Sequence, residues 1–177
     1  MKIAIIGGGI VGLSIGYKLQ LIKGNKVTLF EKEQEVGLHQ SGRNSGVLHC
    51  GLAYKPGSLK AKLAVNGIKQ MISFCKKNNI NHEICGKIVV AQNDLEIKNL
   101  DNVYERGKKN GLNGLKFLSK SELKTREPYV VSKKSLLVPE EGIVDYKGVM
   151  KCLENQIKEY GGSIKLSSSI KKIENKI

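Results

Sequence analysis

The first thirty residues combine two short apolar runs with one stretch of helical periodicity. Lys2–Ile6 is apolar and ends in glycine, and Val27–Phe30 is a second apolar run, so both predict buried strands. Between them, Val11–Ile22 repeats its apolar positions at helical spacing. A strand, a glycine turn, a helix and a strand within about 30 residues form a β-α-β unit, which implies parallel strands joined by a right-handed crossover.

Further elements are predicted along the rest of the chain. Ser58 predicts the cap of a helix, and Asp145 predicts the cap of a long helix that ends at Gly161-Gly162. Apolar residues follow Ser58 at helical spacing, namely Leu59, Leu63, Ile68, Ile72 and Cys75. The remaining predictions are strands at 86–92, 115–118, 136–138 and 163–173, and helices at 94–109 and from Ser121 to Pro128. The glycine-rich polar segment 37–57 between them predicts a functional loop.

Charge and composition narrow the function classes. The formal net charge of +14 invites a nucleic-acid interpretation. However, only Arg43, Arg106 and Arg126 are arginines, the lysines are dispersed, and aromatic residues are 5% of the chain. Base recognition favours arginine forks and aromatic platforms, so no nucleic-acid partner is expected. The basic charge favours acidic ligands or peripheral attachment to an anionic membrane surface.

The amino terminus and the cysteines indicate a cytoplasmic protein. Four of the first twelve residues are glycines, which is unfavourable for the apolar core of a signal peptide. The cysteines contain no C-x-x-C pair, so neither a metal site nor a thiol redox motif is predicted. We expect reduced thiols that lie mostly in the core, at Cys50, Cys75, Cys85 and Cys152. No apolar run approaches the roughly 18 to 20 residues that span a bilayer.

A dinucleotide-binding fingerprint follows the first predicted strand. Gly7, Gly9 and Gly12 have the G-x-G-x-x-G spacing and open the first helix, and Glu31 ends the second strand. The glycines serve the tight turn, the approach to the pyrophosphate and the packing of helix on strand, and an acid in the position of Glu31 accepts hydrogen bonds from the ribose. The motif itself does not separate NAD from FAD. Gly16 is a small residue that lets the helix press close to the sheet, and it favours FAD because this pattern is more typical of FAD enzymes.

Several further motifs carry a resemblance to one family. They occupy residues 39–51 (HQSGRNSGVLHCG), 54–62 (YKPGSLKAK), 85–91 (CGKIVVA) and 142–146 (GIVDY). Together with the fingerprint they closely resemble the FAD-dependent L-2-hydroxyglutarate dehydrogenase/oxidase family, within the D-amino-acid-oxidase-like flavoproteins. The resemblance extends over nearly the whole chain.

The resemblance implies an oxidation with FAD as the cofactor. The enzyme would oxidise L-2-hydroxyglutarate, a dicarboxylate 2-hydroxy acid, to 2-oxoglutarate by hydride transfer to the flavin, and pass the electrons to a quinone chain or to oxygen. Such a reaction needs a general base for the hydroxyl proton. His49 is the catalytic candidate, because the matching loop of relatives lies along the cofactor and histidine titrates near neutral pH. His39 is expected to orient the loop, and a histidyl link to FAD through His39 or His49 remains open.

The same loop supplies further candidates for the cofactor. Ser41, Asn44 and Ser45 are expected to donate hydrogen bonds to FAD, the alternative being that they satisfy turn backbone. Arg43 departs from the family pattern, which often has histidine there, so it could add charge beside the pyrophosphate but inherits no histidine role. Lys32, directly after Glu31, completes the cofactor-binding candidates.

The family pattern implies an α/β fold in which a Rossmann-like FAD-binding domain of the glutathione-reductase type is interrupted by part of an α+β substrate domain. The expected division is 1–82 for the first FAD-binding segment, 83–144 for the substrate domain and 145–177 for the returning FAD-binding segment. Because family members are about twice this length, we expect an amino-terminal portion whose other catalytic residues lie elsewhere. The alternatives are an FAD-dependent oxidase of amino acids or glycerol 3-phosphate, or a non-catalytic dinucleotide-binding fragment. The expected location is cytoplasmic, with the inner face of the membrane open.

Overall fold

The computed structural model describes residues 1–174, which form two compact units. The first unit joins Met1–Gly46 to the segment that begins at Asp145, and the second unit is Val47–Val144. In chain order the elements are β1 (Lys2–Ile6), α1 (Ile10–Gln20), β2 (Lys26–Phe30), β3 (Val47–Leu48), α2 (Leu59–Lys77), β4 (His82–Glu83), β5 (Lys87–Ala91), α3 (Asp94–Lys109), β6 (Lys116–Leu118), α4 (Lys120–Arg126), β7 (Lys134–Val138), β8 (Gly142–Val144), α5 (Tyr146–Glu159) and β9 (Ser163–Lys165).

The first unit contains the β-α-β arrangement that the amino-terminal pattern predicts. Strands β1, β2 and β9 form a parallel sheet in that order, with Ile5 opposite Leu29 and Thr28 opposite Ser163. Helix α1 crosses between β1 and β2, so the predicted unit is confirmed. The predicted burial holds for β2, in which Val27 and Leu29 are fully buried, but not for β1, in which no residue is buried and Ile6 is 58% exposed.

Helices α1 and α5 pack together against this sheet, and Gly16 lies at their contact. A Cβ at Gly16 would lie 3.2 Å from Cδ1 of Ile157 in α5 and 3.3 Å from Cδ1 of Ile5 in β1. The absent side chain therefore lets α1 approach both neighbours. The expected close approach at Gly16 is confirmed.

The second unit is built from two antiparallel sheets and three helices. One sheet has the order β3-β8-β4, and the other has the order β5-β7-β6. Helix α3 packs on β5 and β7. Three of its short strands, β3, β4 and β8, have no counterpart in the sequence-based prediction, because two or three residues are too few for an alternating pattern to be seen. Antiparallel strands with separate helices correspond to the expected α+β part.

Three further local features differ from what the sequence pattern suggests. Leu59 and Leu63 are 71% and 62% exposed, and α2 buries Ala61, Ile68 and Cys75 instead. Helix α4 begins at Lys120, one residue earlier than predicted. Its N-cap is Ser119 rather than Ser121, and Ser119 forms a reciprocal capping box with Glu122.

The expected strand at 163–173 is also shorter, since β9 ends at Lys165. Ser167 has a φ of +50°, a conformation outside the β region, which turns the chain out of the sheet. The expected core position of the cysteines holds for Cys50 and Cys75, whereas Cys85 is exposed and Cys152 is half-buried. All four are thiols.

The unit boundaries fall after Gly46 and after Val144. Residues 47–82 thus belong to the same compact unit as residues 83–144, although the sequence-based division groups them with the FAD-binding segment. The unit boundary reports packing and not ligand binding. The division into FAD-binding and substrate-binding parts therefore stays a prediction.

Candidate functional site

The glycine turn between β1 and α1 has the geometry that its spacing predicts. Gly7 has a φ of +108°, and its N–H donates to the carbonyl oxygen of Phe30 at 2.8 Å. A Cβ on Gly12 would lie 2.0 Å from the carbonyl oxygen of Gly7. Gly7 therefore makes the tight turn, and Gly12 permits the close packing of α1 on the strand that precedes it.

The amino terminus of α1 is suited to an anion. Gly9 is its N-cap and provides no side chain to cap it, and the first turn carries no acidic residue. The N–H of Ile10 donates to Oγ of Ser41 at 3.0 Å, so the serine lies directly at this helix end. The other N–H groups of the first turn point out of the helix together with the positive end of its dipole. This arrangement fits the pyrophosphate of a dinucleotide.

Glu31 links the end of β2 to the glycine turn. Its Oε2 accepts from the N–H of Gly8 at 2.5 Å and its Oε1 accepts from the N–H of Glu33 at 3.0 Å. The residue is 9% exposed. A carboxylate has about four acceptor positions. Glu31 is thus fixed by backbone donors while it retains acceptor capacity for ribose hydroxyl groups.

A cleft of about 320 Å³ lies beside these residues in the first unit. Its lining includes four predicted cofactor residues besides Glu31, namely Gly7, Gly9, Lys32 and Ser41. The volume is within the usual range for a small-molecule site, which starts at about 300 Å³. The structure therefore brings Gly7 and Gly9 of the fingerprint, the acid at the end of β2 and the first serine of the loop to one cavity, whereas Gly12 packs against the turn itself. Its lining and the uncapped end of α1 fit the adenosine diphosphate part of FAD.

His39 also lines the cleft and pairs with a neighbouring acid. Its Nε2 lies 2.9 Å from Oε1 of Glu33, and Nζ of Lys32 lies 3.5 Å from the same oxygen. The hydrogen bond from His39 is the main cause that holds the pKa of Glu33 below its usual range, with Lys32 adding to it. The contact agrees with a loop-orienting part for His39.

The segment after β9 supplies cleft residues that sequence reasoning missed. Ser168, Ser169 and Ile170 line the cavity. The N–H of Ser168 donates to the carbonyl oxygen of Glu31 at 2.7 Å, and the N–H of Ser167 donates to that of Glu33 at 2.8 Å. The run of three serines is the signal that was available, because small polar residues after a parallel strand lie at the sheet edge where ligands bind.

The remaining loop candidates do not line the cleft. Arg43, Asn44 and Ser45 are exposed. The Asn44 amide donates to the carbonyl oxygens of Gln40 and Ser41 at 3.2 and 2.9 Å, and its Oδ1 accepts from the N–H of Gly46 at 2.8 Å. Asn44 thus satisfies turn backbone, as the alternative interpretation has it. Contacts of these three residues with FAD stay predictions.

His49 belongs to the second unit and lies beside a buried acid. Its Nδ1 is 3.5 Å from Oε2 of Glu141, and the two side chains are 58% and 2% exposed. Nζ of Lys87 is 2.5 Å from the same oxygen. Oε1 of Glu141 accepts from the N–H of Cys50 at 3.3 Å and from its thiol at 3.4 Å. Burial and the Glu141 charge raise the pKa of the Cys50 thiol to about 12.

Glu141 was missed by sequence reasoning, and no local motif marks it. It follows Pro139 and Glu140 in the link between β7 and β8, and its importance comes from the pairing of β8 with β3. The order Glu-Glu-Gly before a predicted strand would ordinarily indicate an exposed turn. The turn is buried because β8 pairs with β3, a strand that is distant in the sequence, and a local sequence pattern does not reveal such a pairing.

The sequence matches the family described as FAD dependent oxidoreductase over residues 2–177. The L-2-hydroxyglutarate dehydrogenase of Indibacter alkaliphilus is 45% identical over 174 residues, which cover 98% of this chain and 44% of that protein. The human mitochondrial L-2-hydroxyglutarate dehydrogenase is 40% identical over 173 residues, which cover 97% of this chain and 37% of that protein. The chain thus spans less than half the length of these curated relatives.

Solved structures share the fold. An L-alpha-glycerophosphate oxidase of Mycoplasma pneumoniae with FAD bound has a TM-score of 0.85 at 30% identity, over 93% of this chain and 44% of that one. A glycine oxidase of Geobacillus kaustophilus has a TM-score of 0.83 at 23% identity, over 93% of this chain and 46% of that one. In residues 1–174, no helix is long and apolar enough to cross a membrane.

Proposed function

Because the chain belongs to the FAD dependent oxidoreductase family, we propose that it is the amino-terminal part of an enzyme that oxidises L-2-hydroxyglutarate to 2-oxoglutarate. The observation that carries the proposal is the 45% identity to a protein of that named activity over 98% of this chain. The fingerprint and cleft support it independently, because they provide a site for the cofactor that the reaction needs.

In this proposal the first unit holds the adenosine diphosphate part of FAD. The uncapped amino terminus of α1 and Ser41 bind the pyrophosphate, and Gly9 lets the backbone come close to it. Glu31 accepts hydrogen bonds from the ribose. Lys32 and Arg43 add positive charge that attracts the phosphates. Asn44 and Ser45 contact the cofactor only if the exposed loop moves when it binds.

The oxidation itself needs a proton acceptor and a hydride acceptor. FAD, when bound, accepts the hydride from the α carbon of the substrate. His49 takes the hydroxyl proton at a ring nitrogen, because an exposed imidazole is the side chain that best accepts protons near neutral pH. The two substrate carboxylates need cationic or N–H partners, part of which belong to the portion of the relatives that this chain does not span.

The electrons are then passed to a quinone chain or to oxygen. The net charge of +14 favours contact with an anionic lipid surface, from which a membrane quinone would be reached. Cytoplasmic location at the inner membrane face is part of this proposal. Flotation of the complete protein with anionic and with neutral vesicles tests it, and equal partition between the two would contradict an electrostatic attachment.

Anaerobic reduction of the bound flavin tests the proposed substrate. The complete protein is loaded with FAD and mixed without oxygen with L-2-hydroxyglutarate, and the loss of oxidised flavin absorbance is followed. D-2-hydroxyglutarate is the matched control, because it differs only in the configuration at the carbon that loses hydride. Rapid bleaching by the L enantiomer alone supports the proposal. Bleaching by glycerol 3-phosphate or an amino acid instead would assign the protein to another oxidase of this fold.

A non-catalytic binding fragment gives a different result in the same assay. It would bind FAD in the cleft of the first unit, but none of these substrates would bleach the flavin. Saturation with FAD, confirmed by titration before substrate is added, separates this outcome from a failure to load the cofactor.

A further inference from the structure

The most completely enclosed acid of the second unit is Glu141, and the cofactor cleft does not use it. Its side chain is 2% exposed, and its carboxylate meets a cation, a histidine and a thiol. Burying a charged group is costly unless it is paired, so an acid in this position needs a reason. The groups around it indicate what the reason is.

Strand pairing holds Glu141 beside His49. In the pairing of β3 with β8, Leu48 is opposite Gly142, so the next residues outward along the two strands are His49 and Glu141. A Cβ on Gly142 would lie 2.1 Å from the carbonyl oxygen of Glu83, so only glycine lets β8 fit at that point. The N–H of Gly86 donates to the main-chain oxygen of Glu141 at 2.9 Å. Backbone contacts alone therefore fix the main chain at Glu141, independently of the contacts of its side chain.

The two carboxylate oxygens have different partners. Oε1 accepts both hydrogen bonds from Cys50, which fix the plane of the carboxylate. Oε2 lies 3.5 Å from Nδ1 of His49 and 2.5 Å from Nζ of Lys87. Lys87 therefore balances the negative charge of buried Glu141. Because of this pairing, Glu141 does not require a positive charge on His49, and the imidazole beside it can be neutral.

We infer that Glu141 is a positioning residue that keeps His49 in the tautomer protonated at Nδ1, with Lys87 setting the charge at this pair. This inference rests on the proposed function. Oε2 makes no hydrogen bond among the described residues, but its negative charge, 3.5 Å from Nδ1, favours the ring proton on that nearer nitrogen, and the lone pair is then on Nε2. In the oxidation, the hydroxyl proton of the substrate goes to Nε2 as the hydride of the α carbon goes to FAD. The alcohol thereby becomes a ketone, and FAD is the species reduced.

The inference predicts opposite pH shifts for two variants. Proton transfer to His49 needs a neutral imidazole, so the charges beside the ring set where the flavin reduction rate rises with pH. Glu141→Gln removes the anion and leaves the Lys87 cation, which disfavours charged His49, so the rise moves to lower pH. Lys87→Met leaves the anion uncompensated, so the rise moves to higher pH. The charged and titratable groups near this pair within the second unit include Lys87, Cys50 and Glu140, whose charge acts on Cys50 and is unchanged in both variants. The Cys50 thiol stays protonated because its pKa is about 12.

The experiment uses the complete protein loaded with FAD and measures anaerobic flavin reduction by L-2-hydroxyglutarate across pH. We expect Glu141→Gln to lower the limiting rate about 10-fold or more and the two pH profiles to move in opposite directions by about half a pH unit or more. Glu83→Gln is the matched control, since Glu83 is an exposed acid of the same sheet that does not contact His49. Flavin absorbance of each variant before substrate is added reports whether it has folded and bound FAD.

A second readout does not depend on turnover. Nitrogen NMR shifts of the imidazole ring, assigned to His49 by their loss in His49→Gln, distinguish the two neutral tautomers. Wild type and Lys87→Met should show the Nδ1-protonated form, and Glu141→Gln should lose that preference. If L-2-hydroxyglutarate does not reduce the wild-type flavin, the proposed function fails and the NMR result still reports on Glu141.

Three results would overturn the inference. One is a Glu141→Gln variant with the limiting rate and pH profile of Glu83→Gln. Another is a pair of variants whose profiles move in the same direction. The third is an unchanged His49 tautomer without the Glu141 charge. If Glu141→Gln does not retain FAD, the pH profile of flavin reduction by Lys87→Met tests the inference instead. A Lys87→Met profile that does not shift to higher pH contradicts the inference.

Discussion

Replacing Gly12 by alanine tests the geometry of the cofactor turn. The added Cβ would lie 2.0 Å from the carbonyl oxygen of Gly7, against ordinary contacts of 3.4 Å or more. Both atoms are attached to backbone, so no side-chain rotation relieves the overlap. Helix α1 must therefore move away from the end of β1, and the N–H groups that face the cleft move with it.

The expected magnitudes follow from this displacement. Overpacking usually costs about 1 to 3 kcal/mol, and we expect about 3 kcal/mol for Gly12→Ala because the clash is between backbone atoms. Loss of one hydrogen bond to a phosphate oxygen costs about 1.5 to 3 kcal/mol, which corresponds to about 10- to 150-fold weaker FAD binding. Stability and affinity should therefore fall together.

The matched control is the same substitution at Gly67. This residue lies in α2 and a Cβ there meets nothing within 4 Å. Gly67→Ala should stabilise the protein by about 0.5 to 1 kcal/mol, because alanine favours the helix. Urea unfolding followed by circular dichroism measures stability, and quenching of flavin fluorescence measures FAD affinity. If Gly12→Ala bound FAD as tightly as Gly67→Ala, the cofactor would not lie on this helix end and the reasoning would be refuted.

Two further substitutions and one labelling experiment test the structure at separate places. Glu31→Gln should weaken FAD binding about 10-fold or more in the same titration, because one charged acceptor of ribose is lost; unchanged affinity would contradict the ribose contact. The pKa of Glu122 is lowered to about 2, chiefly by the hydrogen bond from Lys116, from an ordinary value of 4.5. Because the folded-state pKa of Glu122 is lowered, its interaction with Lys116 stabilises the folded protein above pH 4.5 and is lost as the pH falls toward 2. Glu122→Gln should therefore be less stable than wild type at pH 7 and equal to it near pH 2. In thiol labelling of the native protein at neutral pH, exposed Cys85 should react and Cys50, with a pKa of about 12, should not; rapid labelling of Cys50 would contradict its burial.

The cofactor turn was predictable from the sequence because its requirements are local. Gly7 needs a positive φ, and Gly12 lies only five residues after the carbonyl that it must clear. Glu31 is placed by strand length alone, since it is the first residue after β2. Each of these constraints acts within about thirty residues, which is the span of one β-α-β unit.

The rest depended on contacts between distant parts of the chain. The helical spacing of Leu59 and Leu63 was correct, but spacing does not say which face of α2 is covered, and both side chains are exposed. Glu141 meets His49 only because β8 pairs with β3, about ninety residues away. Ser168 joins the cleft through a hydrogen bond to the carbonyl oxygen of Glu31, which is more than a hundred residues earlier in the chain.

The proposed oxidation of L-2-hydroxyglutarate by bound FAD has a fixed stoichiometry, which a single-turnover product analysis measures. The complete protein with bound FAD is mixed anaerobically with excess L-2-hydroxyglutarate, and reduced flavin and 2-oxoglutarate are quantified in the same quenched sample. We expect equal molar amounts of reduced flavin and 2-oxoglutarate. Reduced flavin without 2-oxoglutarate, or a flavin that stays oxidised although FAD is bound, would contradict the proposed oxidation.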